Sequence, residues 1–198
     1  TGGVRGAEDR QDSERLDAYL DEGGVKQSFW PMSRRVSRLE AHQKGLWHKT
    51  AHVYVFDPNG RLVLQRRSAT KTESPGKLQV SASGHVNAGE RVLDAAVRET
   101  REELGLELPA DRFEQISTES GIRRVQPIPS GGVNRELTTV YAVWLTRDEV
   151  DTIKQNYNLN EVQDLWLMPF NELEVSVRED DEGLIFTNSL RGILSWRS

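Results

Sequence analysis

Residues 84–106, GHVNAGERVLDAAVRETREELGL, carry the strongest structural signal in the chain. Within them, small and apolar residues recur with the period of an α-helix: Leu93, Ala96, Val97, Thr100 and Leu104. This pattern predicts an amphipathic helix with one buried stripe. Gly105 can take the left-handed conformation that ends a helix, and Gly84 and Gly89 allow a tight loop between a strand and the helix.

The same segment places three carboxylates, Glu99, Glu102 and Glu103, at positions i, i+3 and i+4 of the predicted helix. This spacing puts them on one side within a turn, where like charges cost about 0.2–0.5 kcal/mol per pair. A helix that accepts this repulsion is suited to bind a cation. The alternative is a solvated face rich in Glu and Arg, which is the usual role of a charge run.

The spacing of the segment resembles the Nudix box, in which seven residue identities are fixed. All seven are matched, at Gly84, Glu90, Arg98, Glu99, Glu102, Glu103 and Gly105. At roughly 7% per residue type, such a match arises by chance about once in 10⁸ starting positions. Thr100 stands where the family has an aliphatic residue, and Leu106 fits the second aliphatic position.

The resemblance implies a fold, an activity and a set of roles. The fold is an α/β/α sandwich with a mixed β-sheet between helices, and the activity is hydrolysis of a diphosphate joined to another group. Hard oxygen ligands suit Mg²⁺ or Mn²⁺. The expected metal ligands are three carboxylates and one backbone carbonyl, those of Glu99, Glu102, Glu103 and Gly84. Glu102 and Glu103 are also the expected catalytic carboxylates, Arg98 would orient them, and Glu90 would be structural or hold an outer metal.

Composition narrows the class of protein. The 198 residues hold 26 Lys and Arg against 31 Asp and Glu, for a formal charge of −5, and no cysteine. The negative balance argues against a broad nucleic-acid surface, and the missing cysteines exclude disulfides and thiol chemistry. No apolar run reaches the roughly 18 residues of a membrane span. We therefore expect a cytoplasmic protein with a mobile tail at 1–13 and a single domain at 14–198.

Periodicity and turn signals outline the remaining elements. We expect a strand pair and then a helical turn near 38–42 within residues 14–40. Strands are expected at 51–57, 61–67, 78–86, 112–126, 136–146 and 162–168. A short acidic helix before residue 181 and a helix at 186–196 complete the prediction.

Residues 42–170 resemble more specifically the branch of the superfamily that contains isopentenyl diphosphate isomerase and its hydrolase relatives. In that branch the positions of Arg67 and Lys71 contact a diphosphate; the alternatives here are a solvated strand end and a loose loop lysine. The catalytic cysteine of the isomerase aligns with Ser83, and the isomerase has a degenerate Nudix box. Both differences favour a hydrolase over an isomerase.

The branch also binds a metal through histidines and a carboxylate. The matching positions here are His42, His48, His85 and Glu136, with Asn134 where a second carboxylate would stand. The alternative is that these histidines are hydrogen-bonded residues that line a polar pocket. Glu136 could instead be the general base or a further Mg²⁺ ligand, and Glu119 is a weaker candidate.

The sequence leaves the substrate open. Nucleoside diphosphate derivatives, thiamine-type diphosphates and prenyl diphosphates are all candidates, and Trp30, Trp47 and Tyr54 are candidates to stack on a base. A Nudix-like module that binds a nucleotide or partner without catalysis is the alternative from another functional class. It is disfavoured because such modules usually lose carboxylates of the box and this chain keeps them all.

Overall fold

The computed structural model describes residues 14–21, 29–71, 74–117, 121–128, 131–179 and 183–185, together with positions 190 and 193. The predicted tail at 1–13, Glu119 and most of the predicted helix at 186–196 lie outside the described residues. No helix among the described ranges is long and apolar enough to cross a membrane.

Ten strands among the described residues form one mixed sheet. They are β1 Arg15–Asp21, β2 Phe29–Ser37, β3 Trp47–Phe56, β4 Leu62–Arg67, β5 Leu78–Gln79, β6 Ala82–His85, β7 Glu114–Gln115, β8 Ile122–Pro127, β9 Val133–Trp144 and β10 Val162–Met168. Strand β3 is central and pairs with four other strands. It runs parallel to β9 over ten residue pairs and antiparallel to β1, β4 and β6. Nine of its ten residues are buried, as expected for a strand covered on both faces.

Flanking this sheet, the described ranges hold four helices with defined bounds: α1 Arg38–Lys44, α2 Val92–Leu104, α3 Arg147–Asn156 and α4 Phe170–Arg178. Helices α2 and α3 pack with Ala51, Val53 and Val55 of β3 in one apolar core. Helix α4 packs with Tyr54 and Phe56 of the same strand in a second core. Because alternate residues of β3 serve opposite cores, the molecule is the predicted α/β/α sandwich.

Helix α2 is the acidic helix predicted from the sequence. It ends at Gly105, whose φ of 65° is left-handed, and the N–H of Gly105 donates to the carbonyl of Arg101. Its buried residues include Ala96, Thr100 and Leu104, as predicted. Glu103 is also buried, which the stripe did not predict, because its carboxylate enters a polar niche described below.

The predicted strand at 78–86 is divided in two. Strand β5 pairs with β4, whereas β6 pairs with β3. Ser81 lies at the change of partner, where its Oγ accepts from the N–H of Val55 and donates to the carbonyl of Val63. The hydroxyl thus satisfies backbone groups that a continuous ladder would have paired.

Two other predictions need correction. The strand expected at 112–126 is a 3-10 turn at Ala110–Arg112 followed by β7 and β8, which pair with separate parts of β9. Helix α3 was not predicted at all. It begins with a capping box, in which Thr146 Oγ1 accepts from the N–H of Glu149 and Glu149 accepts from the N–H of Thr146.

Candidate functional site

The carboxylate of Glu103 is anchored at the sheet. Its Oε2 accepts from Nε2 of Gln65 at 2.7 Å and from the backbone N–H of Ser83 at 2.9 Å. Only 7% of Glu103 is exposed. These two donors come from β4 and β6, which both pair with β3, so two strands fix one orientation of this side chain.

Glu99 lies one turn earlier and packs against the backbone of Gly84. A Cβ built on Gly84 would overlap the Glu99 carboxylate, so any side chain at this position would displace that carboxylate. The φ of Gly84 is not positive, so close approach rather than a left-handed turn explains the glycine. The predicted juxtaposition of Gly84 and the acidic helix is present in the fold.

Arg98 ties the acidic helix to the preceding loop. Its guanidinium donates to both carboxylate oxygens of Glu90 at 2.9 and 3.0 Å, to Glu99 at 2.5 Å and to the carbonyl of His85 at 2.9 Å. Glu102 lies 3.4 Å from the same guanidinium and is about half exposed. Glu90 also accepts from the N–H of Asn87, so it holds the loop in shape.

Burial and mutual repulsion disfavour the charged forms of two of these carboxylates. Burial raises the pKa of Glu99, and the neighbouring charge of Glu103 raises it further, against the lowering effect of Arg98. Burial likewise raises the pKa of Glu103, although its two hydrogen bonds oppose the shift. A divalent cation would relieve both effects, and the hard oxygen donors gathered here fit Mg²⁺ or Mn²⁺.

One of the two predicted diphosphate contacts, Arg67, lies near this carboxylate group. It donates to Oε1 of Gln79 at 2.8 Å, and its charge acts on Glu103 to lower the pKa of that carboxyl. Lys71 forms an ion pair with Glu161, whose charge in turn raises the pKa of Glu103. Arg67 therefore acts on Glu103 directly, whereas Lys71 is linked to it through its carboxylate partner.

A second polar group lies beyond Gly84 along β6. The rings of His42, His48 and His85 are 5.0–5.8 Å apart between centroids, and one ligand atom from each lies within 4.8 Å of the others. The Nε2 atom of each ring is buried and has no hydrogen-bond partner among the described residues. We call these three residues the histidine cluster.

The protonation states of His42 and His48 suit metal binding. Burial lowers the pKa of His42 to about 3 and that of His48 to about 4, and the neighbouring imidazoles add to both shifts. These rings are therefore neutral at neutral pH and offer lone pairs. Nδ1 of His48 lies 3.0 Å from the carbonyl of Leu46, a contact that assigns its proton to Nδ1 and leaves Nε2 as an acceptor.

Glu136 stands beside His48 as its register partner on β9. Its carboxylate accepts from Asn134 at 2.8 Å and from Arg124 at 3.1 Å. Burial opposes ionisation, but the charge of Arg124 and then of the nearby imidazoles outweighs it and lowers the pKa of Glu136 to about 2. Asn134 Oδ1 is buried and has no hydrogen-bond partner among the described residues, so this oxygen is available as a further ligand for a metal.

Two of the candidates for stacking on a base are buried. Tyr54 is fully buried in the core around α4, so it is not available to a substrate and that prediction is wrong. Trp47 is also buried, at 5% exposed, and the guanidinium of Arg123 lies 5.0 Å from its ring centroid. The side chain of Trp30 lies outside the described part of the structure.

Several residues at these sites were missed by sequence reasoning: Glu14, Gln65, Arg124 and Glu161. Each makes its contact through distant parts of the chain or through strand pairing, as with Gln65 and Glu103, which are 38 positions apart. No local pattern marks such residues. Only the register of the strands would have revealed these contacts, and the register cannot be read from the sequence.

Proteins of similar sequence belong to the family that the acidic helix resembles. Residues 46–186 match the family model described as NUDIX domain. Over 154 residues the chain is 31% identical to Nudix hydrolase 3 of Arabidopsis thaliana, which covers 75% of this chain and 19% of that protein. Over 98 residues it is 40% identical to an isopentenyl-diphosphate Delta-isomerase of Streptomyces griseus, which covers 48% of this chain and 47% of the other. The chain thus spans a fifth to about half of these relatives.

A solved structure has a similar fold. The crystal structure of a Deinococcus radiodurans protein superposes with a TM-score of 0.56 at 21% identity and covers 84% of this chain and 90% of that one. This likeness concerns the fold alone.

Proposed function

This chain belongs to the Nudix hydrolase family, and on that premise we propose that it hydrolyses a diphosphate bond in a small molecule whose diphosphate is joined to another group. The observation that carries the proposal is the anchored carboxylate group: Glu103 is held by two strands, and Glu99 is pressed against Gly84. A surface helix with solvated charges would need neither arrangement.

Each residue has a role in the proposed reaction, in which water attacks one phosphorus and the bond to the oxygen bridging the two phosphorus atoms breaks. Metal binding is assigned to Glu99, Glu102, Glu103 and the carbonyl of Gly84. Bound Mg²⁺ or Mn²⁺ would neutralise charge on the diphosphate oxygens. Arg98 orients the carboxylates, since its guanidinium is already committed to protein groups. Arg67 and Lys71 bind the diphosphate.

The general base is assigned to Glu102 or Glu103 rather than to Glu136. The low pKa of Glu136 makes it a poor proton acceptor, and its carboxylate is held by Arg124 and Asn134. We therefore place Glu136 with the histidine cluster, as part of a second metal site or of a polar pocket. A set of three imidazole ligands favours Zn²⁺, Co²⁺ or Mn²⁺ over Mg²⁺.

Further aspects of the proposal concern the whole chain. We propose one domain from 14 to 198, supported by the single sheet that contains every described strand, and a mobile tail at 1–13. We also propose a cytoplasmic location and no broad contact with nucleic acid, in line with the net charge of −5. Isomerisation remains disfavoured, because Ser83 replaces the catalytic cysteine and the sequence holds none elsewhere.

A panel of diphosphates with Mg²⁺ or Mn²⁺, followed by phosphate detection, tests the function. For the best substrate, Glu102→Gln and Glu103→Gln should each lower kcat by about 10² or more. The variant that also loses the acidic limb of the pH profile of kcat/KM identifies the general base. Full turnover in both variants would refute this site, and no turnover of any diphosphate by the unaltered protein would favour a binding module.

A further inference from the structure

The N-terminal hairpin β1–β2 and helix α1 precede the part of the chain that matches the family model, which begins at residue 46. They nevertheless contribute to the histidine cluster. His42 lies on α1, and Glu14 lies immediately before β1. The histidine cluster therefore takes one ring, that of His42, and one contacting carboxylate, that of Glu14, from a segment outside the matched residues.

Glu14 contacts His85 directly. Its Oε1 lies 3.4 Å from Nδ1 of His85, and both side chains are largely buried. A glutamate side chain is ordinarily ionised at neutral pH, and an ionised carboxylate only accepts hydrogen bonds. Glu14 therefore places an acceptor next to the imidazole.

The backbone of the same segment holds the loop that follows His85. The N–H of Ala88 donates to the carbonyl of Arg15 at 2.8 Å, and Leu16 forms a bridge with Asn87. The N–H of Gly89 donates to Oδ2 of Asp17 at 2.7 Å. Strand β1 therefore fixes the position of the loop, while Glu14 contacts the imidazole.

The contact determines which nitrogen of His85 carries the proton. A carboxylate accepts a hydrogen bond, so a neutral imidazole next to Glu14 places its proton on Nδ1. Nε2 then carries the lone pair and is the nitrogen left to bind a metal, and this atom is buried without a hydrogen-bond partner among the residues described. A carboxylate behind a ligating histidine raises its basicity and fixes its ring.

We propose that Glu14 is a positioning residue for the histidine cluster: it orients the His85 imidazole so that Nε2 binds a divalent transition metal together with His42 and His48. The N-terminal hairpin is then an integral part of this metal site. The inference rests on the proposed second metal site and adds to it a residue and a segment with a defined role.

Titration of the metal-free protein with Co²⁺, read by visible absorption and by competition with a chelator, tests the role. Glu14→Ala should weaken Co²⁺ binding by about 10- to 100-fold. Glu14→Gln keeps an acceptor without the charge and should fall between Glu14→Ala and the unaltered protein. Asp17→Asn is the matched control, because Asp17 holds the same loop without touching the imidazole, and it should bind Co²⁺ as the unaltered protein does.

A second measurement needs no metal. Long-range ¹⁵N–¹H spectra should show His85 protonated on Nδ1 in the unaltered protein and as a mixture of tautomers in Glu14→Ala. Equal Co²⁺ affinity in Glu14→Ala, or an Nε2-protonated His85 in the unaltered protein, would overturn the proposal. So would Co²⁺ binding that survives His48→Ala/His85→Ala. Mg²⁺-dependent hydrolysis, measured on the same unaltered sample, reports separately on the proposed function.

Discussion

At the scale of single residues, Gly84 and Glu99 depend on each other. Gly84→Ala would push the Glu99 carboxylate out of its place against the backbone. We expect kcat to fall by about 10², since a displacement of roughly 1 Å at a reacting centre can cost that much. Steady-state kinetics of Gly84→Ala, Glu99→Gln and the double variant give the measurement. Losses that simply multiply in the double variant would show that the glycine acts elsewhere.

His52 makes the stability of the protein sensitive to acid. It is 3% exposed, and burial lowers its pKa from 6.5 to about 4. The unfolded chain therefore binds more protons than the folded one between these values, so stability is complete above about 6.5 and is lost as the pH falls toward 4. The slope due to one such group approaches 1.4 kcal/mol per pH unit.

Urea unfolding between pH 4 and 8 measures this slope. His52→Gln should be less dependent on pH than the unaltered protein in the acidic half of that range. His42 and His48 contribute slopes of the same sign, because their pKa values are also lowered. An identical slope in His52→Gln would mean that His52 is already protonated in the folded protein or is not titrating.

At the scale of elements, the turn after β4 and the loop before β10 are joined by the ion pair of Lys71 with Glu161. The N–H of Ser68 also donates to the carbonyl of Glu161 at 2.9 Å. If Lys71 binds the diphosphate, it must exchange a carboxylate partner for a phosphate. Glu161→Gln should remove that competition and lower KM by about fivefold, the factor that corresponds to a partly exposed ion pair of about 1 kcal/mol.

The control is Asp164→Asn, which removes the ion pair with Arg66 from the neighbouring strand without touching Lys71. It should leave KM unchanged. Lys71→Met should raise KM in the presence of Glu161 and in its absence. An unchanged or higher KM in Glu161→Gln would assign Lys71 a structural role only.

The elements also show what the sequence could and could not predict. Helix α2 was located with its correct end, because apolar period, charge spacing and Gly105 all agree. Helix α3 was missed although Thr146 and Glu149 form a capping box ahead of the apolar pair Val150 and Ile153, so the signal was present. The contacts of Glu14, Gln65 and Arg124 could not be predicted, because they follow from strand pairing between distant segments.

At the scale of the whole molecule, the two apolar cores lie on either side of the sheet and are made of aliphatic and aromatic side chains. The fold should therefore not depend on a metal. Treatment with chelator should abolish hydrolysis and leave the far-UV circular dichroism unchanged, with only a small fall in Tm from the loss of ligand binding. Added Mg²⁺ should restore activity. Loss of secondary structure on chelation would mean that an ion stabilises the fold.

Two consecutive residues of strand β6 lie in different environments. Gly84 packs against Glu99 of helix α2, whereas His85 belongs to the histidine cluster. Neighbouring residues on a strand point to opposite faces of a sheet. A one-residue insertion or deletion in β6 would therefore exchange the two faces and destroy both sites at once. During evolution, a point substitution can therefore remove the carboxylate group or the histidine cluster separately. An insertion or deletion in β6 affects both at once.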